Sequence, residues 1–257
     1  MKRLIRNRHT IPWTPFYRRY PYRNGVSISS ADDRGFVDFE LGIFCNRIPK
    51  AANSSVIVNL AYRRFGREIP SKEAKRLFRT PSQLKRSELD SLSSLYTFAF
   101  VRNPYTRILS AFLDKVDRRA QRKGQEASFS EFLDYLENGG LYSNAHWAPQ
   151  TSLLLLPFEQ FDFFGKTEHL DRDLQEVLSH ITTTVDDPRI LSALGNATGA
   201  SSQIDTYFDD TNKARVEALY RTDFEAFDYP MTLPRKKASH PKESEPAEPA
   251  AEGAGKA

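Results

Sequence analysis

Along the chain, short continuous apolar runs alternate with longer stretches whose apolar side chains recur at helical spacing. Residues 41–48 and 95–101 are apolar enough to be central strands of a parallel sheet. Pro49 cannot donate to a ladder, so the first of these strands stops there. Behind it Ile57, Leu60, Ala61 and Phe65 keep helical spacing, with Ser54 or Ser55 as the predicted cap. Behind the second run, Asn103 is the predicted N-cap and Pro104 the first helical residue. Ile108, Leu109, Phe112, Leu113 and Val116 form the apolar stripe of that helix. Residues 153–156 and 161–164 are further predicted strands, and Gly165 is expected to turn the chain into a helix over 168–180. Helices are also predicted over 71–78, 82–92, around Phe129, Phe132, Leu133 and Leu136, and over 212–220. Strands alternating with helices predict an α/β fold in which helices flank a central parallel sheet.

Composition adds limits. With 257 residues, 39% of them hydrophobic, the chain supports one large core. Residues 1–40 are rich in Arg, Tyr and Pro and are expected to pack on a domain spanning 41–230. Residues 231–257 lack apolar bulk and are predicted to be a disordered tail. The net charge of +4 favours an anionic partner, and Lys2, Arg3, Arg6, Arg8, Arg18, Arg19 and Arg23 concentrate that charge at the front. Cys45 is the sole cysteine, which excludes an intrachain disulfide and suits a reducing compartment. Pro12 and Pro15 interrupt the apolar residues near the start, and nowhere do about 18 apolar residues follow one another. A cytoplasmic protein without a transmembrane segment is therefore expected, with peripheral membrane association left open.

Two strand–turn–helix units place polar residues at the carboxyl ends of their strands, where open α/β sheets bind ligands. In the first, Pro49-Lys50-Ala51-Ala52-Asn53-Ser54-Ser55, small residues let the backbone approach an anion, and a helix N-terminus favours it. Lys50 adds a charge, and Ser54 and Ser55 add hydroxyl donors. A capped helix start with an exposed lysine is the plainer alternative. No Walker A loop, G-x-x-x-x-G-K-[ST], occurs. In the second unit Arg102 ends a strand and Ser110 lies two turns into the next helix, a pairing suited to a second phosphate. Arg107 either joins them or forms a surface ion pair or cap. Arg102 has its own structural alternative, an arginine paired with a carboxylate.

These residues carry a resemblance. Residues 49–55 resemble the 5′-phosphosulfate loop of sulfotransferases, and residues 100–115, with Arg102 and Ser110, resemble their 3′-phosphate motif. The likeness is to the carbohydrate sulfotransferase family that includes the chondroitin 4-O-sulfotransferases. It continues in His146-Trp147-Ala148-Pro149 and in residues 161–168, and covers roughly residues 41–229. The resemblance implies a P-loop-like sulfotransferase fold and a donor, 3′-phosphoadenosine 5′-phosphosulfate (PAPS), with 3′-phosphoadenosine 5′-phosphate (PAP) as product. It implies that Lys50, Ala51, Ala52, Asn53, Ser54 and Ser55 hold the 5′-phosphosulfate and that Arg102 and Ser110 hold the 3′-phosphate. A carbohydrate or other hydroxyl acceptor is implied, without a metal and without nucleic acid. Three features depart from the family. Asn53 stands where Cys, Gly or Ser is usual. Leu154 and Pro157 replace a Cys-x-x-Cys pair found in animal members, and the N-terminal membrane anchor of those members is not expected here. The last two suit a soluble bacterial member.

Sulfuryl transfer resembles phosphoryl transfer, an in-line displacement governed by positioning and charge. Lys50 is the expected cation for the leaving oxygen. His146 is the expected base, with a loop histidine that merely fixes Trp147 as the alternative. Asp114, His169 and Glu168 are weaker base candidates, and Lys166 and Glu168 are expected to order the turn after a strand. A P-loop-type kinase and a non-catalytic binder of anionic polysaccharide using the basic arm are the competing functions. The first lacks the required glycines, and the second would not bind PAP stoichiometrically.

Overall fold

The computed structural model describes residues 6–234 apart from 24, 188 and 192–198. Of the tail predicted over 231–257, residues 235–257 lie outside the described residues, as do Lys2 and Arg3, whereas Met231 and Leu233 pack against the core and are not tail. Four strands form one sheet in the order β1 (Gly35–Asp38), β2 (Ile43–Asn46), β3 (Tyr96–Val101) and β4 (Phe163–Lys166). β2, β3 and β4 run parallel, with Phe44 opposite Thr97 and Phe100 opposite Gly165. β2 is buried along its whole length, which is why it reads as an unbroken apolar run. β1 closes one edge in the antiparallel sense, pairing Phe36 with Cys45. It lies ahead of the predicted first strand, because Gly35-Phe36-Val37-Asp38 is too short to show a pattern.

Helices cover both faces, and the fold is α/β with a sheet flanked by helices, as the alternating pattern predicts. On one face, α3 (Asn53–Phe65) and α6 (Leu170–Ser179) bury Ile57, Leu60, Leu174 and Val177 beneath Phe98 and Phe100. On the other, α4 (Pro104–Phe112), α5 (Phe129–Tyr135) and α7 (Asp210–Ala226) pack Phe112, Phe129, Phe132 and Phe224. The segment before the sheet belongs to this second layer. It holds α1 (Pro15–Arg19) and α2 (Ile28–Asp32), and Phe16 of α1 is fully buried 6.0 Å from Phe44 of β2. That burial contributes about 2–3 kcal/mol. No helix among the described residues is long and apolar enough to cross a membrane.

Several predicted elements change. Residues 153–156, predicted as a strand, form none: Leu153 closes a 3-10 turn at Thr151–Leu153 and 154–156 run on without pairing in the sheet, although all four are buried. The Asn46 side chain explains this. Its amide donates to Leu153 O and accepts from Leu155 N–H, replacing a ladder partner for the run. Gly165 is not a turn residue but part of β4, where a Cβ would lie 2.6 Å from the Phe100 ring. Residues 82–92 break into 3-10 turns, and the helix predicted over 71–78 shortens to Ser71–Ala74. Neither Ser54 nor Ser55 caps α3; its N-cap is Ala52. Asn103 does cap α4, accepting the Tyr105 N–H, with Pro104 first in the helix.

Candidate active site

Being parallel neighbours, β2 and β3 end at the same edge of the sheet, and the turns that follow them line one cleft of about 700 Å³. Lys50, Ala52, Asn53, Ser54 and Ser55 face it from the first turn, and Arg102 and Ser110 from the second. His146 reaches the same cleft from the loop after α5. Ala51 is the exception among the predicted donor residues. It is fully buried in the core below, and its N–H bonds Ile48 O.

The first turn takes an unusual backbone path. Lys50 and Ala52 have φ of 68° and 50°, the left-handed region that glycine normally fills. Each such non-glycine residue costs roughly 1 kcal/mol or more. The chain makes this tight turn without glycine, and the N–H groups of the first turn of α3 are left without intrahelical acceptors. Arg47 braces the turn from behind. Its guanidinium is 3.6 Å from the Phe36 ring centroid and donates to Asn53 Oδ1 at 3.1 Å. Asn53 is thus tied to the wall as well as facing the cleft.

Charges in the cleft are partly prepaired. Lys50 Nζ lies 3.1 Å from Asp114 Oδ2, which also meets Lys115 Nζ at 3.0 Å, while Asp114 Oδ1 accepts from Arg118 at 3.0 Å. Burial pushes the Asp114 carboxyl up, but the bonds from Lys115 and Lys50 outweigh it and hold it at about 2. Burial lowers the Lys50 ammonium, against the pull of Asp114. Asp114 is therefore a counter-ion and a poor base. Arg102 donates to Thr106 Oγ1 at 2.9 Å and to Lys50 O at 3.3 Å; no hydrogen bond to a carboxylate is seen among the described residues, though the Glu168 charge acts on it. Its backbone N–H and C=O are both held by the Gln150 side-chain amide.

Glu168 accepts the Asn103 N–H and the Tyr229 hydroxyl, each at 2.9 Å, and so orders the Arg102 turn. Lys166 donates to Asp228 O and sits 4.6 Å from the Tyr229 ring centre. His169 does not reach the cleft. Arg107 is neither a surface ion pair nor a donor ligand. It is 1% exposed and bonds Pro49 O, Ala148 O and Ala145 O.

The His146 ring has a defined tautomer. Asn144 Oδ1 accepts the His146 backbone N–H at 3.0 Å and lies 2.8 Å from Nδ1. An oxygen that accepts there makes Nδ1 the protonated nitrogen, leaving the Nε2 lone pair available. Burial, then Lys115, Arg34, Lys50 and Arg107, bring this imidazole down to about 3, so it is neutral near pH 7. Trp147, beside it, donates its indole N–H to Gly140 O at 3.0 Å and packs edge-on against Phe132.

Sequence reasoning missed Lys75, Lys115 and residues 199–202, all of which line the cleft. Their small or commonplace side chains carry no local signal. Asn144 had one, since an Asn two positions before another polar residue favours a local side-chain–backbone turn. No cluster of His, Cys, Asp or Glu that would hold a metal occurs among the described residues.

A sequence profile of the sulfotransferase family matches residues 33–230. Relatives include carbohydrate sulfotransferase 14 of Mus musculus, 26% identical over 58% of this chain and 46% of its own. Carbohydrate sulfotransferase 11 of Danio rerio is 26% identical over 63% of this chain and 55% of its own. The chain thus spans about half the length of these relatives. No solved structure matches it. With a match over most of its length and a cleft built at two strand ends, the chain belongs to the sulfotransferase family.

Proposed function

We propose that this protein transfers a sulfuryl group from PAPS to a hydroxyl of a carbohydrate or glycoconjugate. One observation carries the reading. The Lys50 turn and the Arg102–Ser110 unit, two separate anion sites in the sequence, line a single cleft. Its chemistry suits a doubly anionic nucleotide. A cation and a helix N-terminus stand at one side, and a guanidinium not hydrogen-bonded to a carboxylate among the described residues stands at the other. The relatives' names specify carbohydrate sulfotransfer, which is the ground for a sugar acceptor.

PAPS, when bound, supplies a sulfuryl group on an activated phosphosulfate linkage. The protein's part is positioning and charge. Lys50 leaves Asp114 to neutralise the oxygen on which charge develops, aided by the first-turn N–H groups of α3. Arg102 holds the 3′-phosphate, and Ser110 adds a hydroxyl. His146 Nε2 accepts the acceptor's proton, a role worth about 10²–10⁴-fold in rate. Asn144 keeps the ring in the tautomer that allows this. An anionic donor offsets the surrounding cations, so its binding raises the basicity of His146 in the step that needs it.

Calorimetric titration with PAP tests the donor. Binding at one site per chain is expected, and Arg102→Ala is expected to weaken it about tenfold or more. Lys50→Ala is expected to cut turnover with labelled PAPS and a glycan panel by about a hundredfold or more, in a folded protein. Wild-type protein that binds no PAP would overturn the reading.

A further inference from the structure

Arg107 holds together the two turns on which the proposed chemistry depends. It lies one turn into α4, fully buried, and its side-chain hydrogen bonds among the described residues all end on backbone carbonyls. Nε donates to Pro49 O at 3.1 Å, and Pro49 is joined directly to Lys50. The two terminal nitrogens donate to Ala148 O at 2.9 Å and Ala145 O at 3.2 Å, carbonyls on either side of His146. One rigid, planar group thus spans from the end of β2 to the loop after α5. A guanidinium suits this because its donors point in fixed, diverging directions, whereas an ammonium presents three donors from one point. The buried Asp223 carboxylate favours the charge on this guanidinium, and the three carbonyls would lack a donor without it. What marks this arginine is where its bonds end: on the turn before Lys50 and on both sides of His146.

We propose that Arg107 is a positioning residue whose guanidinium fixes the Lys50 turn against the His146 turn. It thereby sets the separation between the leaving-group cation and the base. The proposal rests on the sulfotransfer reading for its consequence, but its geometry is measurable without a donor. In this role Arg107 touches neither donor nor acceptor; it acts through Lys50 and His146.

The test compares wild type and Arg107→Lys by NMR of the full chain, observing the His146 ring, the Lys50 side chain and the Trp13 indole. Trp13 is exposed, is not among the residues lining the cleft, and serves as the control. In the ligand-free protein, the variant is expected to shift and broaden the His146 and Lys50 signals while the Trp13 signal stays put. His146 and Lys50 signals at their wild-type positions would overturn the proposal. So would a uniform shift that includes Trp13, which marks a general structural role. If Arg107→Lys does not fold, the native chain decides. The Arg107 Nε–H bonded to Pro49 O is expected to exchange with solvent about a hundredfold slower than free arginine. Exchange at the free rate sinks the idea. PAP added afterwards separates the two readings, since wild type that binds no PAP removes the donor while the ligand-free spectra still judge Arg107.

Discussion

At the scale of single residues, His146 shows how its surroundings set both chemistry and stability. A free imidazole titrates near 6.5; in the folded chain burial, with Lys115, Arg34, Lys50 and Arg107 around it, brings His146 to about 3. Between those values the unfolded chain binds a proton at this site and the folded chain does not. The contribution of His146 to stability is therefore complete above 6.5 and is lost progressively as pH falls toward about 3. Asp114 has the same sign in a lower window, from 3.8 down to about 2. His146→Gln should accordingly flatten the loss of stability between about pH 6 and about pH 4, read from urea midpoints. A variant as acid-sensitive as wild type would place that sensitivity in other groups.

At the scale of elements, the turn between β2 and α3 is built by strain rather than by glycine. Ala52, at φ 50°, is the N-cap of α3 and only partly buried. Ala52→Gly removes the left-handed penalty and loses a small apolar contact, so a gain of roughly 0.5–1 kcal/mol is expected. Thermal unfolding measures it, and a loss of stability would show that the methyl group packs better than its exposure suggests. This strain was invisible in the sequence, although the turn itself was legible, because a proline and small polar residues follow a run buried on both faces. β3 and its Asn103-Pro104 helix start were legible for the same reason. Residues 153–156 were not, since a buried apolar run carries no period and only the amide of Asn46, more than a hundred positions earlier, decides its path. Arg107 was equally opaque. Its three carbonyl partners lie 58, 41 and 38 positions away, and no local pattern announces them.

At the scale of the whole molecule, the last described helix reaches the Arg102 side of the cleft through a short relay. Asp223 of α7 is fully buried, and burial pushes its carboxyl up. It accepts the Gln150 N–H at 2.7 Å, and the Thr151 N–H and hydroxyl at 2.9 Å each. Gln150, fixed in this way, uses its side-chain amide to hold both backbone groups of Arg102 at 2.9 Å. Tyr220 of the same helix donates to Trp147 O, beside His146. A helix more than a hundred residues beyond Arg102 therefore braces the loop on which both Arg102 and His146 depend. Asp223→Ala leaves buried N–H groups unsatisfied and should cost roughly 2–4 kcal/mol, seen as a lower denaturant midpoint. Because the relay ends on Arg102, PAP affinity should fall as well, even at temperatures where the variant is fully folded. A variant that loses stability yet binds PAP as wild type does would confine α7 to the core and cut the link to the cleft.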